Sequence, residues 1–385
     1  MKPISNVVTS TPASGIRRFF DIVTKMDDVI SLGVGEPDFV TPWRIRESCI
    51  YSLEQGHTHY TSNYGLLELR KEISEYLHKK WKLEYNPENQ VLITVGVSEG
   101  MDLAMRAILN PGDEVIVTEP CYVSYKPCIQ FAGGVPVTVC TSAEIDFRPS
   151  AEQLEAAVTD KTKAILLSFP TNPTGAICPE DLMKEYVKIA EKYDLYIISD
   201  EIYDRLCYDS KHVCVPTLPN AYERTILLNG FSKAYAMTGW RIGYAAGMPE
   251  IIEAMMKIHQ YTMLCAPIMG QMAALEAVRS GDKDSDEMIK QYNQRRRVFV
   301  KGLNDAGLEC RLPGGAFYAF PSVKHLGLSS DEFCEKLLYD EKVAVVPGNA
   351  FGDCGEGYIR CSYATAIDKL EEAVVRIKRF VDKIK

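Results

Sequence analysis

No run of ~18 apolar residues occurs anywhere in the chain, so a membrane-spanning helix is not expected. Basic residues are not in excess: 43 Lys and Arg stand against 52 Asp and Glu, a formal charge of −9. Without a basic stripe to neutralise phosphates, a nucleic-acid partner is disfavoured. The 12 cysteines include no Cys-x-x-Cys pair and no Cys/His cluster with zinc spacing, so no metal site is expected. They are expected to be reduced thiols of a cytoplasmic protein. Met1 to Pro12 lacks an apolar h-region, so no signal peptide is expected. Internal repeats, low-complexity tracts and long charge runs are also missing.

What is present is globular material, 385 residues and 46% hydrophobic, enough for two or three domains. Residues 1–13, with Pro3 and Pro12, read as an extended arm. Ser14 then opens an amphipathic helix carrying Ile16, Phe19, Phe20, Ile22 and Val23. Between about 44 and 280, short apolar strands alternate with helical patterns. The strands are read at Val91–Val95, Glu114–Thr118, Ala164–Ser168, Leu195–Ser199, Thr225–Leu228 and Ile242–Ala246. Such alternation implies a mainly parallel sheet with helices on both faces, and binding loops at the strands' C-terminal ends. Thr41 and Pro42 read as N-cap and first residue of a helix reaching about Gln55.

Chemistry-bearing residues follow several of these strands. Gly96-Val97-Ser98-Glu99-Gly100 turns from a strand into a helix, which presents free N–H groups to an anion. Phe169-Pro170-Thr171-Asn172-Pro173-Thr174-Gly175 forms a stiff loop that leaves the Asn172 amide as a rigid donor. Asp200 ends a buried strand, where a carboxylate is costly without a cationic partner. Asn229-Gly230-Phe231-Ser232-Lys233 follows another strand. Burial there would lower the amine's pKa and suit Lys233 to a Schiff base with an aldehyde. Eight positions on, Arg241 offers a planar fork for phosphate. An aldehyde that carries a phosphate suggests pyridoxal 5′-phosphate (PLP).

The ordered set, which spans nearly the whole chain, resembles the class I/II aminotransferases of fold type I. It is most similar to bacterial and archaeal enzymes acting on aromatic, alanine-type, aspartate or N-acetyl-diaminopimelate substrates. The resemblance implies an α/β fold: a large PLP-binding domain over 44–280, and a smaller α+β domain from 281–385 with part of 1–43. It implies that Lys233 carries PLP and acts as general base, that Asp200 keeps the ring nitrogen protonated, and that Asn172 and Tyr203 bond the ring's phenolic oxygen. Tyr122 would stack on the ring. Val97, Ser98, Ser232 and Arg241 would hold the phosphate. Gly35, Asn172 and Arg360 would place the substrate α-carboxylate, and Tyr60 would reach the partner's phosphate across a homodimer.

Two departures from the family's pattern stand out. Gly230 replaces a serine that contacts phosphate in many relatives, and Ser98 stands where one aspartate-specific subgroup has lysine. Taken singly, each position has a plain alternative: Tyr60 and Tyr122 as packed aromatics, Arg360 as a surface charge, Gly35 as a turn. Phe39, Tyr64, Tyr125 and Tyr261 leave room for an aromatic substrate. The expected reaction passes an amino group from an L-amino acid to a 2-oxo acid, 2-oxoglutarate foremost, with ping-pong kinetics. A PLP-dependent cysteine-conjugate β-lyase is the alternative. A PLP-sensing regulatory domain is disfavoured, because no basic helix-turn-helix extension precedes the arm.

Overall fold

The computed structural model describes residues 2–13, 15 and 26–385. The amphipathic helix expected after Ser14 lies outside the described residues. The arm is not wholly extended: Asn6–Ser10 form one short helix.

Seven strands make the central sheet: β2 (Val91–Thr94), β3 (Glu114–Glu119), β4 (Val135–Cys140), β5 (Thr162–Ser168), β6 (Tyr196–Asp200), β7 (Thr225–Gly230) and β8 (Gly243–Ala246). Their order is β2-β8-β7-β6-β5-β3-β4. β8 alone runs against its neighbours, so the sheet is mainly parallel, as the alternating pattern implies. Its strands read as continuous apolar runs because both faces are covered. Leu92, Leu166, Ile198, Ile226 and Leu228 pack on one face with helices Gly96–Ile108 and Pro249–Thr262. Residues one position along pack on the other: Ile165 and Ile197 against helix Glu180–Lys192, and Ile93 and Leu227 against helices Leu67–Trp81 and Ile268–Ser280. β4 is the exception. It lies at the edge, is half exposed and carries Pro136, which an edge strand tolerates. These features hid it from sequence pattern.

The remaining strands are short. β1 (Ile30–Ser31) pairs in parallel with β10 (Val343–Ala344), tying the N-terminal region to the C-terminal one. β9 (Tyr318–Ala319), β11 (Val346–Pro347) and β12 (Ile359–Ser362) form an antiparallel sheet with β12 in the centre. Helices Asp282–Asp305, Ser330–Glu341 and Ile367–Ile384 cover this region, with Phe299, Phe333 and Phe380 at its core. That core also takes Ile202, Tyr203 and Leu206, which follow β6. The segment after Asp200 is thus held between the two sheets.

Two expectations need correction. Thr41 is not a helix cap: the helix is Trp43–Glu54, and the Thr41 hydroxyl donates to Ala236 O (2.6 Å) and accepts from Trp240 Nε1 (2.9 Å). Nor are all the cysteines reduced. Cys140 and Cys354 form a disulfide with Cα atoms 5.7 Å apart across 214 positions of sequence. That bridge is long-range contact information, which residue spacing along the chain does not contain.

Candidate active site

Four strands of the central sheet, β2, β5, β6 and β7, deliver Gly96, Asn172, Asp200 and Lys233 to the same edge, and Tyr122 follows β3 there. Arg360 on β12 faces them. A cavity of about 470 Å³ lies between. It is lined by every residue singled out from the sequence as a site residue except Tyr60, which is 83% exposed and lies outside its own chain's cavity.

Lys233 sits one turn past β7, where the chain leaves the sheet. Its Nζ donates to Gly35 O at 2.7 Å. Burial lowers the amine to about 8, and the Arg360 and Arg241 cations push the same way. An amine so placed is largely unprotonated at mildly alkaline pH, which suits attack on a carbonyl and proton abstraction.

Asp200 closes β6 and is buried. Burial raises its carboxyl to about 6, although hydrogen bonds from the Tyr125 hydroxyl to Oδ2 (2.7 Å) and from Ile202 N to Oδ1 (3.2 Å) pull it down. The group lacks a cation in direct contact among the described residues. A protonated ring nitrogen in the cavity would supply one.

The opposite end is built for an anion. Helix Gly96–Ile108 points its N-terminus at the cavity, with Val97 and Ser98 in its first turn. The helix takes in the whole 96–100 stretch that reads from sequence as a turn, because Gly96 adopts φ +73 and lets the helix begin directly off β2. A Cβ there would lie 2.7 Å from Arg241 Nη2. Glycine therefore permits both the turn and the approach of the guanidinium. Ser232 lines the same end. Gly230 does not: a Cβ on it would meet Gly243 Cα at 2.9 Å, in β8. The serine of many relatives is excluded here by the close pairing of β7 and β8.

Arg360 is 2% exposed and carries no carboxylate partner among the described residues. Nη1 donates to Asn172 Oδ1 (3.0 Å), Nη2 to Gly33 O (2.6 Å), and Nε is buried without a partner. Its Cζ lies over the Tyr318 and Phe351 rings, 4.7 and 4.8 Å from their centroids. A buried cation held only by neutral groups is an anion site. Because Asn172 accepts from Arg360, its amide NH₂ remains available to the cavity. Gly35 stands beside this group, and a Cβ on it would lie 2.5 Å from the Tyr318 hydroxyl.

Two residues were missed in their roles. Tyr125, grouped from sequence with possible aromatic-pocket residues, is instead the hydrogen-bond donor to Asp200. Tyr318 carries no motif that marks it in the sequence, yet it lines the cavity and its hydroxyl bonds that of Tyr203 at 2.8 Å. Phe39, Tyr64 and Tyr261 do not line the cavity; Phe39 packs edge-on against Tyr292. A larger open cleft of about 850 Å³ lies elsewhere, and much of its wall charge is paired, Lys80 with Asp204 (2.7 Å) and Arg205 with Asp286 (2.8 Å) among them.

The model of the family "Aminotransferase class I and II" matches residues 27–377. The chain belongs to this family. It is an aminotransferase of the fold-type I α/β architecture. It is 54% identical to a putative aminotransferase, YugH, of Bacillus subtilis over 99% of this chain and 98% of that one. It is 46% identical to an aspartate aminotransferase of Pyrococcus abyssi, over 95% of each chain. An aromatic aminotransferase of Pyrococcus horikoshii superposes with a TM-score of 0.91 at 43% identity, over 95% of this chain and 99% of that one. These relatives are named as transaminases, so the lyase alternative is set aside.

Proposed function

We propose that this aminotransferase uses PLP to move an amino group from an L-amino acid to a 2-oxo acid, with 2-oxoglutarate as the acceptor. The carrying observation is the depressed Lys233 amine between a buried acid and an anion cradle in one cavity. A molecule with a basic ring nitrogen, an aldehyde and a phosphate matches those three groups. When bound, PLP supplies the aldehyde for the substrate amine and a ring that accepts the electron pair left when the Cα–H bond breaks.

Asp200 would hold a proton on the ring nitrogen, and Tyr125 and Ile202 keep its carboxylate oriented. The first turn of Gly96–Ile108, Ser232 and Arg241 would hold the phosphate. Tyr122 would lie against the ring, and Asn172 and Tyr203 would donate to its phenolic oxygen. Arg360, aided by Asn172 and Gly35, fixes the substrate α-carboxylate, which aligns the Cα–H bond with Lys233 Nζ. Lys233, whose amine is depressed and lines the cavity, would serve as the base that takes that proton. This clamp and base act on groups that every α-amino acid carries. That fits relatives named for donors as different as aspartate and the aromatic amino acids. Because donor and acceptor use the same clamp in turn, the kinetics are ping-pong.

The proposed assembly is a homodimer in the cytoplasm, with residues 44–280 as the cofactor-binding domain and 281–385 closing over substrate with part of 1–43. Tyr60 and Tyr261 are both exposed, and Asn63 Nδ2 donates to Leu264 O (2.8 Å) between their segments, which supports a buried interface there from which Tyr60 would reach the partner's phosphate. No helix among the described residues is long and apolar enough to cross a membrane.

Lys233→Ala tests the reading. Steady-state turnover should fall by at least about 10³-fold while the fold persists by circular dichroism. Full turnover in that variant sinks it.

A further inference from the structure

Glu99 and His259 do not line the cavity, and no step above uses them. Glu99 stands in the first turn of helix Gly96–Ile108, one residue past Ser98. A carboxylate so near an anion cradle would oppose an anionic guest if it faced the same way. It is turned aside. Its Oε2 accepts the N–H of Val95, the residue preceding the helix, at 2.5 Å. Its Oε1 lies 2.7 Å from His259 Nδ1. His259 comes from helix Pro249–Thr262, is fully buried, and its Nε2 is buried without a partner. Nδ1 is thus the nitrogen that donates, because an unpartnered N–H at Nε2 would be costlier than an idle lone pair.

These contacts bracket the pivot of the cradle. Gly96 is the conformationally free residue in the turn, at φ +73. On one side the N–H of Val95 is held by Glu99. The Gly96 carbonyl in turn accepts from the Thr94 hydroxyl at 2.9 Å. With the Val95 N–H and the Gly96 carbonyl both held, the turn is fixed where Val97 and Ser98 begin the helix beside the cavity, among the N–H groups that a helix start leaves unpaired.

We propose that Glu99 and His259 form a positioning dyad that pins the phosphate-binding turn from behind, linking helix Pro249–Thr262 to the cofactor's phosphate end. This rests on the reading that the helix N-terminus takes a phosphate. Neither residue touches the cofactor; both act through the backbone of 95–98.

The test is equilibrium binding to the cofactor-free protein, comparing PLP with pyridoxal, which lacks the phosphate. Wild type should prefer PLP strongly. His259→Phe should weaken PLP binding roughly tenfold, the loss expected for one hydrogen bond to a charged group, with pyridoxal affinity changed by less than about twofold. His259→Asn, which keeps a donor near the Nδ1 position, should recover most of the loss. Glu99→Gln, close to isosteric, should lose severalfold in the same phosphate-specific sense, and it carries the test if His259→Phe does not fold. Equal losses for PLP and pyridoxal, or an unchanged PLP preference in both folded variants, would overturn the dyad. A wild-type protein with no preference for PLP over pyridoxal would instead overturn the phosphate reading beneath it.

Discussion

Asp200 works against the fold that holds it. Its folded pKa of about 6 stands above the 3.8 of the free group. The folded chain therefore binds more protons than the unfolded one between these values. The group contributes stability at low pH and loses it as pH rises through about 6. Above that, the buried anion costs about 3 kcal/mol, at ~1.4 kcal/mol for each tenfold in proton affinity. Asp200→Asn should therefore raise the melting temperature of the cofactor-free protein at pH 8, have much less effect at pH 4, and weaken PLP binding. An unchanged melting temperature at pH 8 would count against this account of the acid. Lys233 shows the opposite sense: its pKa falls from 10.5 to about 8, so stability is lost as pH drops from 10.5 towards 8. Both groups are destabilised in the forms that a ring nitrogen and an aldehyde would relieve.

At the scale of elements, strand ends set the site. The apolar runs of β2, β5, β6 and β7 were legible because both faces of the sheet are buried, and the residues after them were legible as chemistry because they interrupt those runs. The edge strand β4 was not, since exposure and Pro136 break its pattern. Pairings across the chain were not legible either. Tyr203 and Tyr318 meet over 115 positions and Tyr125 and Asp200 over 75, and neither spacing leaves a periodic trace. Gly230 illustrates the limit of reading a motif by position. It looks like a lost phosphate ligand, yet it is the contact point of β7 with β8. Gly230→Ser should destabilise the protein by roughly 1–3 kcal/mol, the usual cost of overpacking, and should not tighten PLP binding. Tighter PLP binding at unchanged stability would show that the side chain reaches the cavity after all.

On the scale of the whole molecule, one covalent link among the described residues joins the central sheet to the C-terminal region. Cys140 ends β4, and Cys354 lies in the 353–355 turn just past Phe351, the ring beside Arg360. Closing so long a loop restricts the unfolded chain and contributes roughly 2–4 kcal/mol. A phosphine reductant should lower the melting temperature by several degrees, and Cys140→Ser should match the reduced protein. Identical melting with and without reductant would contradict a formed bridge. The same region carries Arg360, the proposed clamp on the substrate carboxylate, so the cavity it lines forms only when the two sheets are brought together. The central claim concerns what that site does to a single amino acid. PLP-loaded protein mixed with one donor, with no 2-oxo acid present, should release one equivalent of the donor's 2-oxo acid per subunit and then stop, with no ammonia freed. Continuous release of 2-oxo acid with matching ammonia, or none from any donor tried, would contradict an aminotransferase working through the Lys233 cavity.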